Sequence, residues 1–305
     1  MSMHLKHEII SNHEAERATT NIVSFRLDFL HTGTIGGLPV SDQPGNFNNP
    51  IDVKISFEHH TIFVSDNGNQ RIQAFDLFSQ EFKYTIDTPD KPLYMAVDHK
   101  DDSLIVTCEN SCVYKYSLCN DHNLLWSLES KELLSKPQGI AVDDTNGNIF
   151  VSDSKVVLVS RQGKFIRHIG GEGKGPMQFH APNGIGISNR DNFLIVTDMK
   201  NNRVQIMSKN GDDFIYMFGK KGISNSDFLY PTGLTVDKPT GNIIVCDSSN
   251  NRIQVFSPRG EFIKSFGSKG NGPLELVNPT GLTINIRTGE LYVVDNKNNR
   301  IQIYK

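Results

Sequence analysis

The sequence predicts an all-β fold, a single six-bladed β-propeller, on three observations. A proline recurs six times, at Pro50, Pro92, Pro137, Pro182, Pro231 and Pro279. The first five are each followed by four apolar runs of strand length, separated by turns rich in Gly, Asn and Asp, and the sixth by three. The repeat length, about 45 residues with four strands, is that of a propeller blade and not of a helical solenoid. The plainest copy runs Pro231-Thr-Gly-Leu-Thr-Val-Asp237, Gly241-Asn-Ile-Ile-Val-Cys-Asp247, Asn251-Arg-Ile-Gln-Val-Phe256 and Glu261-Phe-Ile-Lys-Ser-Phe-Gly267. A blade cannot cover its own two faces, so the copies must form one ring.

In chain order, residues 1–21 are polar and are expected to form a loosely ordered lead to a propeller over residues 22–305. The run Ser24-Phe-Arg-Leu-Asp-Phe-Leu30 aligns with the last strand of the fifth copy, and the stretch from Gly33 to Pro50 aligns with Gly267 to Pro279. The chain ends on a third strand, Asn299–Tyr304. The sixth blade is therefore expected to take its outer strand from the N-terminus, which removes an open sheet edge. The second strands are β-branched or aromatic, as in Ile62-Phe-Val64, Leu104-Ile-Val106, Ile149-Phe-Val151, Leu194-Ile-Val196, Ile243-Ile-Val245 and Leu291-Tyr-Val-Val294. The second copy is the most altered, with Cys108 in the Asp slot, Val113 in the Arg slot and an enlarged loop through Cys119–Asn123. The third keeps Asp153 but has Leu158 in place of Arg.

The formal net charge of −3 argues against a uniformly basic nucleic-acid binder, but it conceals an asymmetry. Residues 1–154 carry 11 Lys+Arg against 22 Asp+Glu, and residues 155–305 carry 20 against 12. The first residues lack the apolar core of a secretory signal, and no run approaches the ~18 apolar residues of a membrane span. Four cysteines do not make a disulfide framework for 305 residues. A reducing, cytoplasmic address and a monomeric chain are expected.

Four Asp-x4-Arg pairs mark the second-to-third strand turns: Asp66/Arg71, Asp198/Arg203, Asp247/Arg252 and Asp295/Arg300. A strand-end carboxylate there can accept turn N–H groups and face the guanidinium as a charge-assisted fork. They are read as turn-closing pairs, in preference to a ring of phosphate-binding arginines. The glycine-rich linkers Gly170–Pro176 and Gly267–Pro273 look like phosphate loops, but a strand follows each where a helix would be needed. Their glycines are read as crossover hinges. Cys108-x3-Cys112-x6-Cys119-x2-His122 gathers potential metal ligands within 15 residues, but the spacing matches no common zinc fold. No metal and no cofactor are expected.

These motifs resemble the NHL repeat over roughly residues 22–305, and copies four to six are most similar to the NHL propellers of tripartite-motif (TRIM-NHL) proteins. The resemblance implies a non-catalytic module that binds protein or single-stranded RNA beside ubiquitin-ligase domains. This sequence carries no RING, B-box or coiled coil, and four cysteines cannot supply the paired zinc sites of a RING. Ligase activity is not carried over; a recognition role in such a pathway is the most the resemblance implies.

The channel mouth is assigned to the positions after each proline: Asp52, Tyr94, Gln138, Asn183, Thr232 and Thr280. Asp52 and Asn183, three blades apart, would face each other as a weak cation site, and a metal-dependent hydrolase or lyase working at this mouth is the alternative reading. None of the six is His and no carboxylates cluster there, so the chain is not expected to be an enzyme. The leading expectation is a recognition scaffold. Crossover linkers and second-to-third strand turns share one face of a propeller. In copies three to six they carry Lys155, Lys174, Lys200, Lys220, Lys221, Lys269 and Lys297, with the rings of His180 and Tyr230. In copies one and two the same loops are acidic, with Asp42, Asp87, Asp90, Glu109, Glu129 and Glu132. Lysines follow a phosphate backbone and rings stack on unpaired bases, while an acidic protein suits the same lysines. Phe179 and Phe228 share a linker slot with Phe47 and are read as packing between blades.

Overall fold

The computed structural model describes residues 22–37, 39–119 and 121–305; the expected lead over residues 1–21 lies outside the described residues. Six four-stranded antiparallel sheets stand around a central channel. Blade 1 comprises Pro50–Ser56, Thr61–Asp66, Arg71–Asp76 and Phe82–Asp87. Blade 2 comprises Pro92–Asp98, Ser103–Cys108, Cys112–Ser117 and Leu124–Glu129. Blade 3 is the shortest, with Ile140–Val142, Ile149–Ser152, Val156–Val159 and Phe165–Ile169. Blade 4 comprises Pro182–Ser188, Phe193–Asp198, Arg203–Ser208 and Phe214–Phe218, and blade 5 Pro231–Val236, Ile243–Asp247, Arg252–Phe256 and Phe262–Phe266. Blade 6 comprises Pro279–Asn285, Glu290–Asp295 and Arg300–Tyr304, closed by His31–Gly36.

The first strands touch one another around the channel, and the fourth strands form the rim. Their sequences follow from this. Second strands such as Ser103–Cys108 are buried along their whole length, whereas Phe82–Asp87 at the rim alternates. Apolar clusters fill all six blade boundaries; between blades 1 and 2, Ile72 and Ile86 pack with Leu104 and Val106. No helix among the described residues is long and apolar enough to cross a membrane.

The closing strand differs from the expected Ser24–Leu30. It is His31–Gly36, with Ile35 opposite Ile301 and Gly36 opposite Arg300. The glycine that turns the chain into the linker is Gly36, not Gly33: its φ is +78°, and a Cβ there would lie 2.4 Å from the Phe47 ring. Gly219 stands in the same way against Phe228. Residues 24–30 instead seal the boundary of blades 5 and 6. Phe25 and Phe29 are buried there, and Phe29 stacks on Phe266 with centroids 4.1 Å apart.

Blades 2 and 3 also depart from the expected alignment. Their second-to-third strand turns are shorter, by one residue in blade 2 and by three in blade 3, so the place across from the strand end is taken by Cys112 opposite Cys108 and by Lys155 opposite Asp153, and not by Val113 and Leu158. The cysteine cluster is divided: Cys108 and Cys112 are a buried cross-strand pair, while Cys119 is exposed at the opposite end of the same blade.

Candidate functional site

In the regular blades the Asp/Arg pair is the hub of a clamp. The buried Asp198 carboxylate accepts the His180 N–H on Oδ1 at 2.7 Å, and on Oδ2 accepts Asn201 Nδ2, Arg203 Nε and Gln205 Nε2 at 2.8, 2.8 and 3.2 Å. Arg203 gives its other N–H groups to the linker carbonyls of Lys174, Gly175 and Gln178 at 2.7, 2.9 and 2.8 Å. Asp66/Arg71, Asp247/Arg252 and Asp295/Arg300 pair at 2.9, 2.7 and 2.8 Å and hold their own linkers likewise. Burial pushes the Asp247 and Asp295 carboxyls up against the opposing pull of these hydrogen bonds. The guanidinium donors are committed to the protein, which leaves no ring of phosphate-binding arginines.

The clamp fixes the loops that carry the lysines. Lys200 and Lys297 sit in one-turn 3-10 segments, Met199–Asn201 and Asn296–Asn298, each closed by an asparagine in the left-handed region, Asn202 and Asn299. Lys269 lies in the short parallel pair Ser268–Lys269 with Glu275–Leu276, and Lys221 bridges to Phe228. Lys174, Lys200, Lys220, Lys221, Lys269 and Lys297 are exposed, and Lys155 is half-buried. Among the described residues the nearest acid to any of them is Asp227, 3.9 Å from Lys220 Nζ. Lys297 Nζ donates to Asn49 Oδ1 at 3.1 Å. His180 and Tyr230 are exposed among them, whereas Phe179 and Phe228 are buried in the cores of the 3/4 and 4/5 boundaries and offer no stacking face. Sequence reading missed two apolar side chains on this face, Ile223 at 79% and Leu274 at 49% exposure. Nothing in the repeat singles them out, because they stand in linkers.

The six positions assigned to the channel mouth do not form one ring. Strand register makes Asp52 and Tyr94 the equivalents of Gly139, Gly184, Gly233 and Gly281, one residue beyond Gln138, Asn183, Thr232 and Thr280. The glycines allow the inner strands to crowd together: a Cβ at Gly184 would lie 2.3 Å from the Thr232 carbonyl. Asp52 and Tyr94 fill the space that the glycines leave. Lys54 Nζ holds Asp52 at 2.7 and 2.8 Å, and the Met95 N–H donates to it at 2.9 Å. Burial raises the Asp52 carboxyl despite that lysine. The Tyr94 hydroxyl reaches Thr232 of the opposite blade, and burial drives its pKa well up. Asn183 turns to Gln138 Oε1 at 3.1 Å, and Thr280 to the Ile51 carbonyl at 2.7 Å. Asp52 and Asn183 stand in different tiers, Asp52 on Lys54 and Asn183 with its Nδ2 on Gln138, and Asp52 and Tyr94 line the waist, the narrow part of the channel.

Beyond the waist, on the face away from the lysines, the channel widens into a funnel of about 490 Å³. Its wall is apolar, with Ile55, Val142, Ile187, Val236 and Ile284, and its rim is polar, with His99, Asp144, Arg190 and Lys238. Lys238 pairs with Asp144 at 3.2 Å. Burial and the nearby Lys238 hold His99 below its usual value.

Fold and site together define a six-bladed β-propeller whose repeated Asp/Arg pairs are bonded into the ring. The chain belongs to the 6-bladed beta-propeller family DUF5128, whose model matches residues 100–204 and 224–305. No curated protein shows a significant match to the sequence. Among solved structures, one titled as a streptogramin B lyase superposes with a TM-score of 0.62 at 15% identity, covering 87% of this chain and 85% of that one. An auxiliary nutrient binding protein from Bacteroides thetaiotaomicron superposes with a TM-score of 0.68 at 15% identity, covering 94% and 75%. At such identity the likeness is one of fold.

Proposed function

We propose that the chain is a non-catalytic recognition scaffold that holds an acidic protein segment on the Lys-rich face of blades 3 to 6. The observation that carries this is the division between spent and unspent cations. The clamp arginines are bonded into the fold, while six exposed lysines on the same face have no acid closer than 3.9 Å among the described residues. Ile223, Leu274 and Tyr230 stand among those lysines as exposed apolar anchors, and such anchors suit a protein surface better than a phosphate backbone. The scarcity of exposed rings weakens the single-stranded RNA reading, because base stacking needs them. The resemblance to TRIM-NHL propellers extends this to presenting a bound protein to a ubiquitin ligase acting alongside.

The test is binding of poly-glutamate and of oligouridine across a salt series, followed by fluorescence anisotropy. The proposal expects poly-glutamate to bind, with affinity falling as salt rises, and to be released by neutralising Lys200, Lys220, Lys221 and Lys297 together. Preferential oligouridine binding with a steep salt slope would favour RNA instead. Binding of neither would remove the lysine face as the contact surface.

A second reading rests on the funnel. Its volume and its apolar wall with a few polar rim groups suit a small ligand. A lyase and a nutrient-binding protein on similar folds make this reading worth a direct screen of small carboxylates by thermal shift, in wild type and in Val142→Trp.

A further inference from the structure

We propose that His59, Asp102 and Cys119 form a divalent metal site, suited to zinc, that ties blade 1 to blade 2 on the funnel face. The three residues come from three turns: the first-to-second strand turns of blades 1 and 2, and the enlarged third-to-fourth strand loop of blade 2. One ligand atom from each lies within 4.8 Å of the others. His59 Nε2 is 3.8 Å from Asp102 Oδ1, and Cys119 Sγ is 3.9 Å from Asp102 Oδ2. These separations are too long for strong hydrogen bonds. They are close to the ligand–ligand edges of a tetrahedral zinc centre, about 3.3–3.8 Å from bonds of 2.0–2.3 Å. A thiolate, an imidazole and a carboxylate are the donor types that zinc takes, and three of them leave a fourth position for water.

A second observation points the same way. His59 Nε2 is shielded from solvent and has no hydrogen-bond partner among the described residues. An imidazole nitrogen left in that state costs free energy unless something binds it. The turns around it are held in place without using the ligand atoms. Thr61 Oγ1 and Lys83 Nζ donate to the His59 carbonyl at 2.7 and 3.2 Å. The Leu118 N–H donates to the Asp102 carbonyl at 2.7 Å, and Ser117 Oγ to the Cys119 carbonyl at 2.6 Å. Cys119 is exposed, which gives an ion access.

The experiment is titration of the untagged full chain, stripped with chelator, with ZnCl₂ by calorimetry and with Co(II) by absorption. One equivalent of zinc should bind and raise the melting temperature, and Co(II) should give a thiolate charge-transfer band in the near ultraviolet. Cys119→Ser and His59→Gln should each weaken zinc by more than the roughly 10–100-fold that loss of an outer contact costs, and Cys119→Ser should abolish the band. Cys112→Ser, a buried thiol elsewhere in the blade, should change neither. No stoichiometric uptake by the wild type, or uptake that survives Cys119→Ser and His59→Gln, would overturn the proposal.

Discussion

Blade 4 and blade 2 are built on the same plan and solve it differently. In blade 4, Asp198, Asn201, Arg203 and Gln205 lock one turn and the preceding linker into a single buried network. In blade 2 the corresponding strand ends carry Cys108 and Cys112, and neither the carboxylate nor the guanidinium is there. Its buried charges lie elsewhere: Lys115, almost inaccessible, bridges Asp98 and Asp101 at 3.4 and 2.6 Å, and Arg161 of blade 3 reaches Asp98 at 2.9 Å. Where the clamp is kept, the loops are rigid and their lysines are surplus to folding. Where it is lost, the blade is held by its neighbours, and its longer loop is free for other chemistry.

Four variants would sharpen or break that contrast. The largest effect should come from removing residues 1–36, which takes away the closing strand and the burial of Phe25, Phe29 and Ile35. At about 1.5–3 kcal/mol for each buried side chain, at least about 5 kcal/mol should be lost, seen as a collapse of the calorimetric transition. A transition unchanged from the full chain would mean that the ring closes without this strand. Arg203→Ala should cost about 3–5 kcal/mol in urea unfolding, because it leaves the buried Asp198 without its cation. Cys112→Ala at the matching place in blade 2 should cost no more than about 2 kcal/mol. Equal losses at both sites would erase the distinction between the blades. Lys115→Met should cost about 3 kcal/mol, at the low end for a broken buried pair, since Asp98 keeps Arg161; a neutral result would show that the blade 2 cluster holds nothing.

A smaller effect concerns pH. His99 is held below its ordinary value of 6.5 by burial, with Lys238 adding to the shift. Just below pH 6.5 the unfolded chain therefore binds more protons than the folded one, so stability should fall as the pH drops through that value. His99→Asn should flatten part of the fall; His168, held low by burial, supplies a further share. Identical pH profiles for His99→Asn and wild type would remove His99 from the account.

Much of the ring was legible because a repeated blade repeats its hydrogen bonds. Asp66, Asp198, Asp247 and Asp295 stand at one place in four copies, and each meets its arginine. Errors arose where two readings looked alike or the count of residues changed. The apolar run Ser24–Leu30 looks like an outer strand, but the strand that pairs follows it, at His31–Gly36. Shorter turns moved the arginine slot to Cys112 and Lys155. Asp52 and Tyr94 stand two residues after their prolines, in the glycine tier, and the other four positions stand one residue after theirs. The funnel was not legible at all. Its wall consists of Ile, Val and Leu that read as ordinary strand residues, and only the closed ring brings them together from six blades. The His59, Asp102 and Cys119 cluster was hidden because its ligands are drawn from two copies of the repeat.

The central claim is that arginines build this face and lysines bind through it. The direct measurement compares melting temperature and poly-glutamate affinity in two variants, Arg252→Ala and the Lys200/Lys220/Lys221/Lys297 chain with all four changed to Ser. The lysine variant should melt within the change that about 0.5 kcal/mol for each surface substitution produces, yet lose binding. Arg252→Ala should melt well below wild type and, at temperatures where it is folded, bind as wild type does. A lysine variant that binds normally, or an arginine variant that keeps its stability and loses binding, would contradict the account.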